Sequence, residues 1–323
     1  MDNRENDVFF TDFHGYLDKN VKNVYTFNMT KVLNVYKRIN SLRERYYKAA
    51  IGKEALLKLI SEAEVPEQVY NSNAIENSTL TLEETEKILL QIDLDRFISE
   101  REIFEAKNLA RVMEYLRQKQ GSIFLSLDFL LFLHHMLITG ISDDIAGRFR
   151  QENEYVKVGN HIAPPPEHVD RLLEENIEKF QQNVDGYFLE KICAFHLQFE
   201  HIHPFNDGNG RIGRILINIQ LMELGLPPII LRDKEKKVYY QALKEYDQKR
   251  TTKKMEDILW LALMESLHKR LAYLQGYSII PLIDLAEITK KSKQTLLNAA
   301  KRQTLPAFRE NGSWKIGLPP KKK

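Results

Sequence analysis

The sequence predicts an all-α body with one small β element, followed by a short mixed helix-and-strand unit at its C-terminal end. Apolar residues recur at spacings of three and four over 32–57, 101–119, 127–137, 169–183, 188–200, 211–224, 236–246 and 255–274. Gly and Pro fall between these runs, and strand signals are confined to 155–162, with a Gly159-Asn160 turn, and 305–316, with an Asn311-Gly312 turn. At 323 residues, with 43% hydrophobic and 28% charged, the chain can bury a sizeable core and is neither disordered nor fibrous in composition.

In chain order, residues 1–100 read as an N-terminal helical region, 101–275 as the central helical core, and 278–323 as a small winged helix-turn-helix. In that last unit 281–287 reads as a first helix, Ser292 as the N-cap of 293–302, and 305–316 as the wing. The unit holds ten Lys/Arg against three Asp/Glu, which leaves 37 against 42 for the rest of the chain. Attraction to polyanions is therefore expected at the C-terminal end. Lys293, Lys301, Arg302 and Arg309 can meet phosphates, and Gln294 and Asn298 can reach base edges. A DNA partner and a protein partner fit this unit equally well, and a homo-oligomer is left open.

The one cysteine, Cys193, cannot form an internal disulfide, which suits a reducing, cytoplasmic setting. The first residues lack the apolar stretch of a secretory signal. No apolar run approaches the ~20 residues of a membrane-spanning helix, so no membrane partner is expected.

The chemistry concentrates in His203-Pro204-Phe205-Asn206-Asp207-Gly208-Asn209-Gly210-Arg211-Ile212-Gly213-Arg214, between two helical runs. Pro204 ends the first helix, while Gly208 and Gly210 let successive N–H groups converge on one anion at the positive start of the second. Arg211 and Arg214 share a helix face and can grip phosphate oxygens. Asp207 offers an oxygen ligand for Mg²⁺, and His203 can act as general base on a hydroxyl. A metal-hydrolase reading of His201, His203 and Asp207 is disfavoured, because no HExxH or third-ligand set accompanies them. His134, His135, His196 and His268 lie in apolar helical patterns and read as packed, hydrogen-bonded residues.

This run resembles the Fic signature HxFx(D/E)GNGRxxR at every defined position, and other Fic features follow in order from Ser72 to Asp247. The resemblance implies a helical core with a β-hairpin flap. It also implies transfer of AMP from ATP to a Ser, Thr or Tyr hydroxyl of a target protein, with release of pyrophosphate. His203 is then the base and Asp207 the Mg²⁺ ligand; Gly208, Asn209, Gly210, Arg211, Ile212, Gly213 and Arg214 form the phosphate-binding segment. The run Val156-Lys157-Val158-Gly159-Asn160-His161-Ile162-Ala163 is similar to the flap, whose edge docks the target as an added strand. Tyr239, Tyr240 and Asp247 match adenine-side positions, although the family often has Asn where Asp247 stands. Upstream, Ser72-Asn73-Ala74-Ile75-Glu76-Asn77 resembles the inhibitory motif (S/T)xxxE(G/N), which implies an inhibitory helix whose Glu76 pairs with Arg214. Three competing functions follow: a DNA-binding regulator with a nucleotide-sensing core, the same fold transferring another group, and removal of AMP assisted by Glu76.

Overall fold

The computed structural model describes residues 19–119, 121, 123–159, 161–182 and 187–320, with side chains from residue 34 onward. The first residues, Asn160 and the terminal Lys321 to Lys323 lie outside the described residues. Helix α1 (Lys19–Ala50) ends at Gly52, whose φ of +70° breaks the single run expected over 32–57, and α2 (Glu54–Ala63) starts afresh. Next come α3 (Val65–Ile75), with Pro66 in its first turn, which ends within the stretch 72–77 where the resemblance implies a helix, and α4 (Leu82–Leu90), without a sequence forecast and opened by a Thr81/Glu84 capping box. Serine caps then open α5 (Glu100–Gln118) at Ser99 and α6 (Leu127–Ile138) at Ser126.

The flap is a two-stranded hairpin, β1 (Lys157–Val158) with β2 (His161–Ile162), shorter than the expected 155–162. Then come α7 (Val169–Gln182), α8 (Phe188–Ile202), α9 (Asn209–Glu223), α10 (Lys236–Lys249) and α11 (Lys253–Leu274). The chain closes with β3 (Ser278–Pro281), α12 (Leu282–Thr289), α13 (Lys293–Lys301), β4 (Ala307–Glu310) and β5 (Ser313–Leu318). Ser292 caps α13 as expected, by accepting from Thr295 N. The strand order is β3-β5-β4, all antiparallel, and Asn311 and Gly312 both take the positive φ of a tight hairpin turn. The sequence pattern missed β3, which pairs Ile280 with Ile316 across the sheet.

Two apolar clusters share α8 and α9. One holds Cys193, Leu197, Ile217, Tyr239 and Leu263 with α1, α10 and α11; the other holds Phe195, Phe199, Phe205, Ile212 and Leu216 with α5, α6 and α7. With a core on either side, the α8–α9 connection is held in place from both flanks. A third, smaller cluster of Leu282, Leu285, Leu296, Ala300, Ala307 and Ile316 belongs to the C-terminal unit. That unit is bound to α11 by fully buried Phe308 and by Arg309, whose guanidinium pairs with Glu265 at 2.6 Å and Glu235 at 2.7 Å. Arg309 is therefore not a phosphate contact: its charge is already neutralised by two carboxylates. Lys293, Arg302 and Lys301 remain exposed, while Gln294 donates to Asn298 at 3.0 Å along the same helix. No helix of the described residues is long and apolar enough to cross a membrane.

Candidate functional site

The site is built at the junction of α8 and α9. His203 takes a left-handed conformation (φ 50°, ψ 63°) as the C-cap of α8, its N–H bonded to Phe199 O at 2.9 Å. The chain then turns under Phe205, which is wholly buried and stacked on the His134 ring at 3.8 Å and 7°. Gly147 N donates to His134 Nδ1 at 3.0 Å, so the ring proton sits on Nε2 and is given to Asp207 O at 3.1 Å. Burial holds His134 at a pKa of about 4, which keeps this strut uncharged. The second turn is made by Gly208 at φ +83°, the N-cap of α9, where a Cβ would press on Ile138 at 3.1 Å.

Asn209 closes the loop on itself. Its Oδ1 accepts from Phe205 N at 2.9 Å and its Nδ2 donates to Phe205 O at 2.8 Å. The side chain expected among the phosphate contacts is thus buried and spent on the backbone, and Asn209 has only its main chain to offer an anion. Arg150 is the residue sequence reading passed over. It is 3% exposed, and its guanidinium donates to His203 O (2.8 Å), Pro164 O (2.8 Å), Glu154 O (2.9 Å) and Ile202 O (3.3 Å). One side chain thereby ties the base of the flap to the end of α8. In the sequence only its place in Gly147-Arg148-Phe149-Arg150, a few residues ahead of the flap run, marks it.

Asp207 and Arg211 face one another across the first turn of α9 at 3.0 Å, and Arg211 also lies 3.3 Å from Glu105. Arg101 on α5, unforeseen, bonds the second oxygen of Asp207. Burial pushes the Asp207 carboxyl upward, but Arg211 and Arg101 outweigh it and hold the group below its ordinary value. His203 is pushed the other way: burial, with Arg150 nearby, lowers its pKa to about 4, against a weak Nδ1 contact to Glu200 O at 3.4 Å. At neutral pH the imidazole is therefore uncharged, and a proton on Nδ1 leaves Nε2 as the basic nitrogen.

The upstream motif reaches the same place. Arg214 donates to Ser72 Oγ at 3.0 Å and Ser72 O at 2.8 Å, and its Nη1 lies 2.8 Å from Glu76 Oε1. Glu76 is the C-cap of α3 rather than a residue within the helix. A Cβ built on Gly210 would stand 2.1 Å from Glu76 Oε1, so the carboxylate lies directly against the opening turn of α9. Asn77, at φ +71°, accepts from Lys236 Nζ at 2.8 Å, and the same ammonium donates to Ala74 O at 3.0 Å, pinning the end of α3 to α10.

The expected adenine-side residues separate. Tyr239 is buried beneath Arg214, with its hydroxyl 2.9 Å from His196 Nε2, and belongs to the core. Tyr240 remains reachable and donates to Ile75 O at 3.0 Å. Asp247 accepts from His201 Nδ1 at 2.8 Å. On the flap, Val158 pairs with His161 in register, Gly159 lies at the turn, and Asn160 falls outside the described residues. Ile212 fills the core, and Gly213 is required because a Cβ would lie 2.6 Å from Glu200 Oε1. Buried Glu200 is raised to a pKa of about 7 by burial and by the Glu76 charge.

Comparison with known proteins agrees with this geometry. Residues 124–221 match the model of the Fic/DOC family. The chain is 28% identical over 218 residues to a protein adenylyltransferase Fic of Nematostella vectensis, covering 64% of this chain and 49% of that one. It is 30% identical over 223 residues to a protein of the same name from Drosophila melanogaster, covering 64% and 44%. The chain thus spans about half the length of the curated relatives it matches. Among solved structures, a Fic domain containing signaling protein from Bacteroides thetaiotaomicron superposes with a TM-score of 0.67 at 23% identity, over 74% of this chain and 97% of that one. Fic-1 from C. elegans gives 0.66 at 22% identity, over 78% and 75%. These two establish the fold. The helix–loop–helix that carries His203 and Arg214 therefore lies within the stretch that matches the Fic/DOC family model.

Proposed function

We propose that this protein transfers AMP from ATP to a hydroxyl of a target protein and that Glu76 restrains the reaction. The observation that carries this reading is the place of the Glu76 carboxylate. An anion already lies against the first turn of α9 in an ion pair with Arg214, where a nucleotide phosphate would find backbone N–H groups, the helix dipole and a guanidinium. The site is built to hold negative charge, and in this state the protein supplies it.

In the reaction, His203 Nε2 takes the proton of the target hydroxyl as its oxygen attacks the α-phosphorus. The new P–O bond forms while the bond to the bridging oxygen breaks, and pyrophosphate leaves in line. Burial keeps His203 neutral, so the base is in its working form over the whole physiological range. Arg214, released from Glu76, and the start of α9 hold the phosphates, and Arg211 keeps Asp207 in place. The donor set fits Mg²⁺: Asp207 is a half-buried, ionised carboxylate, and Mg²⁺ takes one or two carboxylates and completes its shell with phosphate oxygens and water. Asp207 would hold that ion, which neutralises phosphate charge when bound. The target enters along β1 and β2, adding a strand at the flap edge held by Arg150. Lone, buried Cys193 suits a reducing, cytoplasmic setting.

The test is mass spectrometry of a lysate incubated with Mg-ATP and the Glu76→Gly protein. Proteins gaining one AMP, absent when His203→Ala is combined with that change, establish both the reaction and its target. No gain in any protein refutes the proposal.

A further inference from the structure

We propose that His161, His201 and Asp247 form a binding site for a divalent transition metal of the zinc class, which clamps the flap to the core. The three residues come from β2 of the flap, the last turn of α8 and α10. One ligand atom from each lies within 4.8 Å of the others. Asp247 Oδ1 is 2.8 Å from His201 Nδ1 and 4.0 Å from His161 Nδ1. Ligands about 2.0–2.1 Å from a tetrahedral Zn²⁺ lie about 3.4 Å apart. The two observed separations bracket that value and the third is no more than 4.8 Å, so side-chain shifts on the order of an ångström bring the atoms into position.

The hydrogen bonds around the cluster favour this chemistry. His161 Nε2 bonds to the His201 carbonyl at 2.9 Å, which places the proton on that nitrogen and leaves Nδ1 as a lone pair directed toward the cluster. A backbone carbonyl behind a ligating imidazole is the usual outer-shell arrangement of a histidine metal site. The two rings stack at 4.2 Å, so their orientations are coupled.

One contact must yield. His201 Nε2 now accepts from Arg250 Nη2 at 2.9 Å, so His201 carries its proton on Nδ1. Binding at Nδ1 moves that proton to Nε2 and ends the Arg250 contact. Arg250 is exposed at the end of α10 and can turn into solvent. Two imidazoles and one carboxylate select Zn²⁺, Co²⁺ or Ni²⁺ over Mg²⁺ and leave a fourth position open. Because His161 lies on the flap and His201 two residues before His203, the ion would fix the docking edge relative to the loop. The site stands whether or not the loop transfers a nucleotide.

The experiment is calorimetric titration of Zn²⁺ into the full chain, free of any affinity tag and first stripped with chelator, together with Co²⁺ absorption spectroscopy. One equivalent is expected to bind, with the ligand-field bands of a tetrahedral Co²⁺ centre and no displacement by millimolar Mg²⁺. His161→Ala and Asp247→Asn should each weaken Zn²⁺ binding at least about tenfold, with metal-free thermal unfolding unchanged for at least one of them. Arg250→Ala should bind as well as the parent or better, because it removes the competing donor. Absence of binding, or an affinity equal to the parent's in His161→Ala or in Asp247→Asn, overturns the proposal.

Discussion

Glu76 Oε1 lies 2.8 Å from Arg214 Nη1, in a contact whose two ends differ sharply in solvent access: the arginine side chain is 6% exposed and the glutamate 36%. Arg214 is held besides by Ser72 and by the face of Tyr239, whereas among the described residues Glu76 is held by its ion pair and its capping position. The guanidinium is thus the fixed partner and the carboxylate the removable one. Displacing Glu76 leaves a prepared cationic site rather than a collapsed one.

Glu76→Gly should therefore raise AMP incorporation. The pair is half-exposed, so breaking it costs about 1–2 kcal/mol, and the variant should be faster by roughly five- to thirtyfold. Labelled AMP incorporation at equal protein concentration checks this. An unchanged rate would show that the ion pair does not limit access to the phosphate site.

Removing the base separates chemistry from binding. In the Glu76→Gly background, His203→Ala should lower the transfer rate by about 10²–10⁴-fold. ATP affinity measured by calorimetry should change little, because His203 caps α8 and acts on the target hydroxyl, whereas the phosphates are held by the start of α9 and Arg214.

Gly210 carries a steric prediction. A Cβ there enters the space now held by the Glu76 carboxylate. In the Glu76→Gly background Gly210→Ala should still weaken ATP binding at least about tenfold, since the methyl occupies volume the phosphate needs. Undiminished affinity would place the phosphates elsewhere.

Arg150→Ala strips four carbonyl oxygens of their buried donor, and should destabilise the protein by about 2–4 kcal/mol, read as a fall in denaturation midpoint. Arg150→Lys should recover little of this, because an ammonium cannot span acceptors on the flap base and on α8 at once.

Acid should unfold the protein through its buried histidines. Burial lowers His134 and His203 to about 4, His268 to about 4 and His196 to about 3, from an ordinary value near 6.5. Between pH 6.5 and 4 the unfolded chain binds protons that the native chain refuses, so stability falls as pH drops through that window. Glu200 works in the opposite sense. Its native pKa of about 7 means that the native state holds an extra proton between pH 4.5 and 7, and that contribution is lost as pH rises. Thermal unfolding from pH 4 to 8 should show the first slope in the parent and a weakened second slope in Glu200→Gln.

What the sequence determined by itself is the loop, because its physics is local. A proline, two glycines and a helix start act within twelve consecutive residues, so residue type and spacing suffice to forecast an anion-binding turn beside a histidine. Ser292 and the Asn311-Gly312 turn were legible for the same reason. The break at Gly52 was not, since the apolar rhythm continues on both sides of it and only the backbone reverses. Tertiary structure alone decided what long chain separations conceal. Arg214 reaches across 142 positions to Ser72. Arg150 spends its guanidinium on carbonyls of two elements, Asn209 turns inward, and Tyr239 falls beneath an arginine instead of facing a nucleotide. Arg309, which reads as a surface cation in a basic segment, ends between two carboxylates. A charge written in the sequence carries no record of whether water or another side chain will neutralise it, and that choice is made only when the helices pack.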